Sequence, residues 1–416
     1  MPKHTDTSVP PGAHLKALRL ARGLTQERLA ERAGVSLGVV KKLERGGTAR
    51  LGTYHSLARA LGVRTSRIFD PSGPHVTTRS DDDNIDLMPL RQAIAPPVTF
   101  TGRIEVDHGP SGDEPDLERL RSAAHGTGAA YHRDDYAHVA AVLPLLVRSA
   151  HAAVEFHGGG PQHEAALRIR SNVLQMAGRY LTQVRAYDLA HTALRDAIED
   201  ALRIDDSAGV AAAVYQQGWL LMRQGRLDEA EQVSVTTAEA IEPRMSRATR
   251  SALGAWGKLL VHASAAAARN NRPREARDIL RLAGAAGTAL GDRQAVEVSS
   301  WGRFDRRTVA FQAIENQLVA QRPERVLGLA ARVGPPTDTK GRTFMRRHLL
   351  DVAQAHVMLQ QYDDASDVLW SLFDATPEWL RHQRMAADTF GDVTRGTRRR
   401  HLSQRQRDLA AFFGTQ

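Results

Sequence analysis

Basic side chains are concentrated in one short stretch near the start of the chain, where Lys41, Lys42, Arg45 and Arg50 follow one another closely. Lysine and arginine donate hydrogen bonds to phosphate oxygens and to the O6 and N7 atoms of guanine. Residues 1–70 hold 13 Lys/Arg and 5 Asp/Glu, so they carry almost all of the formal charge of +9 of the 416 residues. This uneven charge predicts a small nucleic-acid-binding module attached to a nearly neutral body.

The sequence contains no pattern that predicts catalysis. The glycines at 158–160 are not followed by the Gly-Lys-Ser/Thr of a phosphate-binding loop, and none of the 17 histidines belongs to a His-Glu-x-x-His motif. His151 and His157 are six residues apart and would not share a helix face, and the chain has no cysteine for disulfides or for zinc. We therefore expect a protein without enzymatic activity, metal or cofactor.

The elements that must position the basic residues are two helices joined by a tight turn, between Thr25 and Gly46. Thr25 is placed to cap the first helix, Gly34 supplies the left-handed residue of the turn, and Ser36 caps the second helix. Their inward-facing residues are predicted to be Leu29, Ala30, Ala33, Val39, Val40 and Leu43.

Apolar spacing extends this helical pattern to five short helices over residues 12–70, the last of them at Thr65–Phe69. Residues 1–11 are polar and contain three prolines, so we expect a disordered tail. Residues 71–115 contain seven prolines and an acidic run at 81–83, which predicts a linker. Within it, the alternation at 98–106 is compatible with an extended segment or with disorder.

Five separated motifs in residues 12–70 resemble those of the Cro/phage-repressor (XRE) helix-turn-helix family. They are LTQ at 24–26, LA at 29–30, AGVS at 33–36, LERG at 43–46 and LARALGV at 57–63. The resemblance implies that the third helix enters the major groove of DNA. It assigns the DNA contacts to Gln26, Ser36, Leu37, Gly38, Lys41, Lys42, Arg45 and Arg50.

Within that set, the resemblance implies base contacts by residues 37, 38, 41 and 42, and phosphate contacts by Gln26, Arg45 and Arg50. It also implies an ion pair between Arg19 and Glu44. Leu37 and Gly38 depart from the family, which commonly has Gln, Arg or Ser there, and neither can donate a side-chain hydrogen bond to a base. The expected readout then rests on the two lysines, on methyl contact and on DNA shape.

The remainder of the chain, residues 116–416, reads as helical almost throughout, with a repeated phrase that opens a helix. Each copy has a polar turn, an apolar residue or proline, acidic residues and then an alanine or valine. The copies are RAYDLA at 185–190, GRLDEA at 225–230, NRPREA at 271–276 and QYDDA at 361–365, with a weaker copy, QRPERV at 321–326, and a more divergent one, DDYAHV at 134–139. The pattern resembles tetratricopeptide (TPR) repeats with long helices, in about six pairs between 117 and 395. An irregular helical bundle is the alternative.

The predicted fold class is therefore all-α, a small helix-turn-helix domain followed by a TPR-like α-solenoid. The two halves together resemble bacterial transcriptional regulators with a TPR-like sensor. The resemblance implies a ligand site on the first helices of the pairs. The Trp-x-x-Phe phrase of such regulators is present at 301–304, but the residues after it, Asp-Arg-Arg at 305–307, replace the usual Gly-Pro-Thr. The candidate ligand residues are Asn172, Tyr215, Trp219, Trp256, Trp301, Arg303 and Phe304, although aromatic residues at helical spacing are more often core.

The function expected from these observations is sequence-specific DNA binding by a cytoplasmic homodimer that senses a peptide or small molecule. The N-terminus has no apolar run of the kind found in signal peptides, and the longest apolar runs are too short to span a membrane. The alternative function is a protein-interaction scaffold that the helix-turn-helix tethers to DNA and that a protein partner regulates.

Overall fold

The computed structural model describes residues 11–68, 87–97, 100, 114–291, 296–297, 303–333, 343–397 and 402–414. The N-terminal helices form a separate layer, called the head below, around a core that includes Leu15, Leu29, Val40, Leu57 and Ile68. Its elements are α1 (Pro11–Ala21), α2 (Gln26–Ala33), α3 (Leu37–Glu44), α4 (Leu51–Leu61) and a 3₁₀ helix (Thr65–Ile68).

The α2–α3 turn has the local geometry expected from its sequence. The Thr25 hydroxyl accepts a hydrogen bond from the Arg28 amide at 3.1 Å, and Gly34 adopts the left-handed conformation with φ of 64°. Ser36 occupies the N-cap position of α3, but its side chain makes no capping hydrogen bond. The fifth helix is a short 3₁₀ turn.

A helix lies inside the segment expected to be a linker. It is α5 (Met88–Ile94), in which Leu90, Ala93 and Ile94 are buried against the first helices of the body. Pro89 stands in its first turn, where the missing N–H costs no helical hydrogen bond. The alternating stretch at 98–106 lies outside the described residues except for Phe100.

The remaining helices form the body, which is built from six consecutive helical hairpins and three shorter helices. The hairpins are α6/α7 (Leu117–His132, Tyr136–Phe156), α8/α9 (His163–Gln183, Tyr187–Arg203), α10/α11 (Ser207–Gln224, Leu227–Ala240), α12/α13 (Arg250–Arg269, Pro273–Leu290), α14/α15 (Arg306–Val319, Pro323–Val333) and α16/α17 (Thr343–Met358, Tyr362–Ala375). They are followed by α18 (Pro377–Arg381), α19 (Arg384–Gly396) and α20 (Gln404–Phe413).

All six hairpins turn in the same way. One residue adopts a positive φ, and the second helix begins two residues later. The positive-φ residues are Asp134, Arg185, Gly225, Asn271, Gln321 and Gln360. Five of them are not glycine, although the left-handed region is unfavourable for side chains. The repeated phrases of the sequence therefore mark one structural unit, the turn of a hairpin.

The sixth hairpin returns to the first. Arg346 of α16 forms an ion pair with Asp134 at 2.5 Å, and their side chains are 3% and 9% exposed. The Tyr136 ring packs edge-on against His382, with centroids 5.0 Å apart. These contacts close the hairpins into a ring around a central cavity.

The fold class is all-α, as expected. The described strands are two residues long, β1 (Val296–Glu297) and β2 (Arg303–Phe304), and they pair antiparallel beside α12. One described helix, α7, has the length and composition of a membrane span, but this is weak evidence. Its buried residues, among them Leu143, Val147 and Ala150, belong to the main core of the body.

Candidate DNA-binding head and central cavity

The exposed face of α3 carries the residues expected to read DNA. Gly38, Lys41, Lys42 and Arg45 are exposed, and Leu37 is half-buried against the core of the head. A methyl group added at Gly38 would meet only the Ser36 hydroxyl, at 3.9 Å. The glycine is therefore not required by packing, and the head leaves open space around the start of α3.

The predicted Arg19–Glu44 ion pair is present and locks α1 to the end of α3. Arg19 Nε and Nη2 donate to the two Glu44 oxygens at 2.6 and 3.1 Å, and the two side chains are 7% and 4% exposed. Burial alone would raise the pKa of Glu44, but hydrogen bonds from Arg19 and Gln26 hold it below its usual value. Gln26 Nε2 donates to Glu44 at 2.7 Å, so Gln26 is fixed at the start of α2.

Arg50 is the N-cap residue of α4, and it contacts the body. Its guanidinium forms an ion pair with Asp388 of α19 at 2.5 Å. Asp388 also lies 3.7 Å from Arg384, one turn away on the same helix. Burial raises the pKa of Asp388, and Arg50 and Arg384 oppose this shift. A residue expected to contact phosphate is thus bound by a carboxylate in this conformation.

The middle of α4 and the 3₁₀ helix rest on the turn of the fourth hairpin. His55 Nδ1 and the Thr65 hydroxyl both lie 2.7 Å from the Arg269 carbonyl oxygen. Because a carbonyl oxygen can only accept, Nδ1 of His55 donates this hydrogen bond. Burial lowers the pKa of His55, which favours the neutral ring. The Ser66 amide donates to the Asn270 side chain at 3.0 Å.

Two other contacts use the positive-φ residues of the turns themselves. Asn271 Nδ2 donates to the Val63 carbonyl at 3.1 Å, and Gln321 Nε2 donates to the Ser56 hydroxyl at 3.0 Å. Arg64 also lies 3.4 Å from Asp228, at the turn of the third hairpin. The head is therefore docked on three consecutive hairpin turns, those of the third, fourth and fifth hairpins.

A cavity of about 2350 Å³ occupies the ring and is bounded on one side by the head, through Val39, Lys42 and Leu43 of α3 and through residues 46–56. Among the described residues, twelve Lys/Arg and five Asp/Glu line it. The body as a whole is nearly neutral, with a net charge of +1 over residues 71–416. The protein therefore concentrates positive charge on the inner wall of the ring.

The ligand residues suggested by the sequence fall in different places. Tyr215 and Trp219 line the cavity. Asn172 is exposed on α8 and does not line the cavity. Trp256 is buried in the core beside Phe304. The Phe304 ring packs against Gly257. Trp301 lies outside the described residues, as does the Arg303 side chain.

Several cations of the cavity lining were not predicted from the sequence. Arg179 of α8 and Arg223 of α10 are two of these lining residues. Arg223 lies one helical turn after Trp219, on the same helix. A helical pattern shows which side chains share a face, but it does not show which face turns inward. Nothing in the described part of the chain groups three or more His, Asp or Glu side chains as a metal site would.

Comparison with curated proteins finds no match to the chain. A family model does match the head, over residues 15–68, where the Arg19–Glu44 pair and the α2–α3 turn lie. That model is the helix-turn-helix family HTH_3, so this part of the chain is a helix-turn-helix domain of a family of DNA-binding transcription regulators.

Proposed function

We propose that the protein is a sequence-specific transcription regulator whose helical body controls when the head binds DNA. The observation that supports DNA binding best is the exposed basic face of α3 on an intact helix-turn-helix scaffold. The proposed base contacts are Lys41, Lys42, a thymine-methyl contact from Leu37 and close approach at Gly38. Ser36, Gln26, Arg45 and Arg50 serve the phosphate backbone.

The ion pair between Arg50 and Asp388 supports control by the body. Asp388 places a negative charge against the Arg50 guanidinium, which repels a phosphate there, so opening this contact favours DNA binding through Arg50. We assign the hairpins to a TPR-like solenoid, because six pairs repeat one turn geometry around a concave surface. An effector in the central cavity would then shift the balance between docked and DNA-bound heads.

We further propose that the regulator acts in the cytoplasm as a homodimer on two half-sites. Two heads related by a twofold axis would read half-sites about 10 bp apart, or a multiple of that distance. The body is the source of the dimer contact, since the exposed edge of the head is needed for DNA.

The test of DNA binding is selection of bound fragments from genomic DNA, followed by affinity measurement on the selected site. Lys41→Ala combined with Lys42→Ala should abolish the preference for that site over unrelated DNA. The matched control is Lys16→Ala, which removes an exposed lysine of α1 outside the recognition helix. Equal preference in the double variant and the wild type would refute the assignment.

The test of docking uses the absence of cysteine from the chain. Arg64→Cys with Asp228→Cys places two thiols at an exposed contact between head and body, where a short bismaleimide can bridge them. The bridged protein should bind the selected site more weakly than the unbridged variant. Bridging Asp367→Cys with Arg405→Cys, an exposed pair within the body, controls for the reagent. Unchanged affinity after bridging the head would refute control by docking.

A further inference from the structure

The head caps the ends of two neighbouring helices of the body. The last carbonyl groups of a helix have no partner within that helix, and Arg269 is the final residue of α12. The Arg269 carbonyl oxygen lies 2.7 Å from both His55 Nδ1 and the Thr65 hydroxyl. In the same way, Arg59 Nη1 donates at 3.3 Å to the carbonyl of Ala320, the C-cap residue of α14. The attachment of the head therefore depends on the separation between the ends of α12 and α14.

An ion pair joins these two helix ends next to the docking contacts. The Arg269 guanidinium donates to Glu315 of α14, which lies one helical turn before the end of that helix. Both side chains are largely buried, at 19% and 15% exposed. Burial alone would raise the pKa of Glu315, but the charges of Arg269 and Arg347 hold it well below its usual value. Arg269 thus contacts the head through its backbone and α14 through its side chain.

The ion pair also faces the central cavity. Arg269, Glu315 and Arg347 line the cavity, and so do His55 and Ser56 of the docked head. Arg347 Nη2 lies 3.7 Å from the same Glu315 oxygen that Arg269 contacts, and the Arg347 side chain is the most exposed of the three. A molecule bound in this part of the cavity would therefore be close to the ion pair and to the docking contacts at once.

A second link between α12 and α14 lies farther from the head. Asn316 Nδ2 donates to the Ser264 hydroxyl at 2.9 Å, and Ser264 donates to the Ala276 carbonyl of α13 at 2.7 Å. Ser264 precedes Arg269 by five residues on α12. Neither Ser264 nor Asn316 is among the described residues that line the cavity. The two helices therefore have one link that a cavity ligand can reach and one that it cannot.

We propose that the Arg269–Glu315 ion pair is the element through which a molecule in the cavity controls docking of the head. An effector that binds Glu315 or Arg347 weakens the contact of Glu315 with Arg269, and the ends of α12 and α14 then move relative to each other. The head, which caps both ends, is released. This inference deepens the proposed control by the body and rests on it. Arg269 and Glu315 are positioning residues, since their side chains act through the two helix ends.

The experiment measures docking in the full chain without DNA or effector. The Ser66 amide donates to the Asn270 side chain of the body, so its hydrogen exchange reports whether the head is docked. Glu315→Gln keeps the shape of the side chain and removes its charge. This variant should speed exchange of the Ser66 amide by at least about threefold, whereas the amides of α2, inside the head, should exchange as in the wild type. Wild-type exchange at Ser66 in this variant would overturn the proposal.

Two further variants separate positioning from a general loss of stability. Ser264→Ala removes the second link between α12 and α14 and should leave exchange at Ser66 unchanged. Arg269→Gln should match Glu315→Gln, and combining the two should add little, because both remove the same interaction. Equal acceleration by Ser264→Ala, or full additivity of the other two variants, would contradict the assignment.

The outcome is distinguishable from that of the bridging experiment. If bridging Arg64→Cys to Asp228→Cys weakens DNA binding but Glu315→Gln leaves Ser66 unchanged, the body controls the head by another route and this inference fails. If Glu315→Gln releases the head without any change in DNA affinity, the ion pair positions the head, and it is the proposed control of DNA binding that fails.

Discussion

The Arg50 guanidinium lies 2.5 Å from a carboxylate oxygen of Asp388, although 338 residues separate them in the chain. Arg50 begins α4 of the head and Asp388 belongs to α19 of the body. The pair joins the edge of the head proposed to contact phosphate to the last part of the ring. Its strength therefore sets part of the free energy that DNA must overcome to bind Arg50.

Asp388→Asn should increase affinity for the selected DNA site about twofold to fivefold, since half-exposed ion pairs contribute up to about 1 kcal/mol. The measurement is a binding titration at fixed salt. Asp392→Asn removes the same charge one turn away on α19, where Asp392 pairs with Arg395, and should have a smaller effect. If both variants gain affinity equally, general electrostatics explains the result and the Arg50 contact does not.

Arg50→Ala should weaken binding to specific and to unrelated DNA alike. The dependence of log affinity on log salt should become shallower by about one unit, because one phosphate contact is lost. Titrations at several salt concentrations provide this slope. An unchanged slope would remove Arg50 from the phosphate contacts.

Gly38→Ala should stabilise α3 by about 0.5–1 kcal/mol, because the helical position is unstrained and has room for a methyl group. It should at the same time weaken specific DNA binding, because the methyl group would occupy the closest approach of α3 to the bases. Hydrogen exchange of the α3 amides and DNA titration measure the two effects. Gly126→Ala in α6, which also has open space, is the control that should leave DNA binding unchanged. Tighter specific binding by Gly38→Ala would contradict the proposed approach.

Lys258 should make the protein more stable as the pH rises from about 7 toward 10. Burial and Arg179 lower its folded pKa from 10.5 to about 7. Between these pH values Lys258 is protonated in the unfolded chain but not in the folded chain. Raising the pH therefore disfavours the unfolded state and increases the free energy of unfolding. In Lys258→Met this contribution is absent. Denaturant unfolding at pH 7 and pH 9.5 should show a larger rise for wild type than for Lys258→Met. Parallel changes would show that Lys258 does not titrate in this range, and Lys16→Met serves as the exposed control.

Asp134→Asn should destabilise the protein by about 3–5 kcal/mol, because it leaves the buried Arg346 without its carboxylate. Asparagine tolerates the left-handed backbone at this position, so the turn itself is preserved. Asp278→Asn breaks the exposed pair with Arg281 and should cost less than about 1 kcal/mol. Chemical denaturation compares the two variants. Similar losses would show that ring closure contributes little to stability.

Features specified by neighbouring residues were predictable from the sequence. Thr25 and Gly34 act within one turn of their own helices, and both have the expected geometry. The Arg19–Glu44 pair followed from the family resemblance and is confirmed. The repeated phrases correctly located the hairpin turns, because a left-handed turn between helices requires particular residues in a fixed order.

Features that depend on distant parts of the chain were not predictable. The helix Met88–Ile94 lies in a proline-rich segment, and its burial against α7 supplies stability that no local pattern shows. Trp256 was considered as a ligand residue because it is aromatic, yet it packs in the core. The contact of His55 with the Arg269 carbonyl joins residues 214 positions apart, and no periodic pattern in the sequence indicates it.

The three turns that hold the head lie on successive hairpins, and their mutual distances are set by the pitch of the ring. The head has its own core, so the spacing of Ser56, Arg64 and Thr65, which contact the fifth, third and fourth turns, is fixed independently. A rigid head fits only one spacing of the turns. Docking and pitch are therefore thermodynamically linked, and whatever lengthens or shortens the ring weakens all three attachments together. The docked state of the head therefore depends on the spacing of the hairpins in the body.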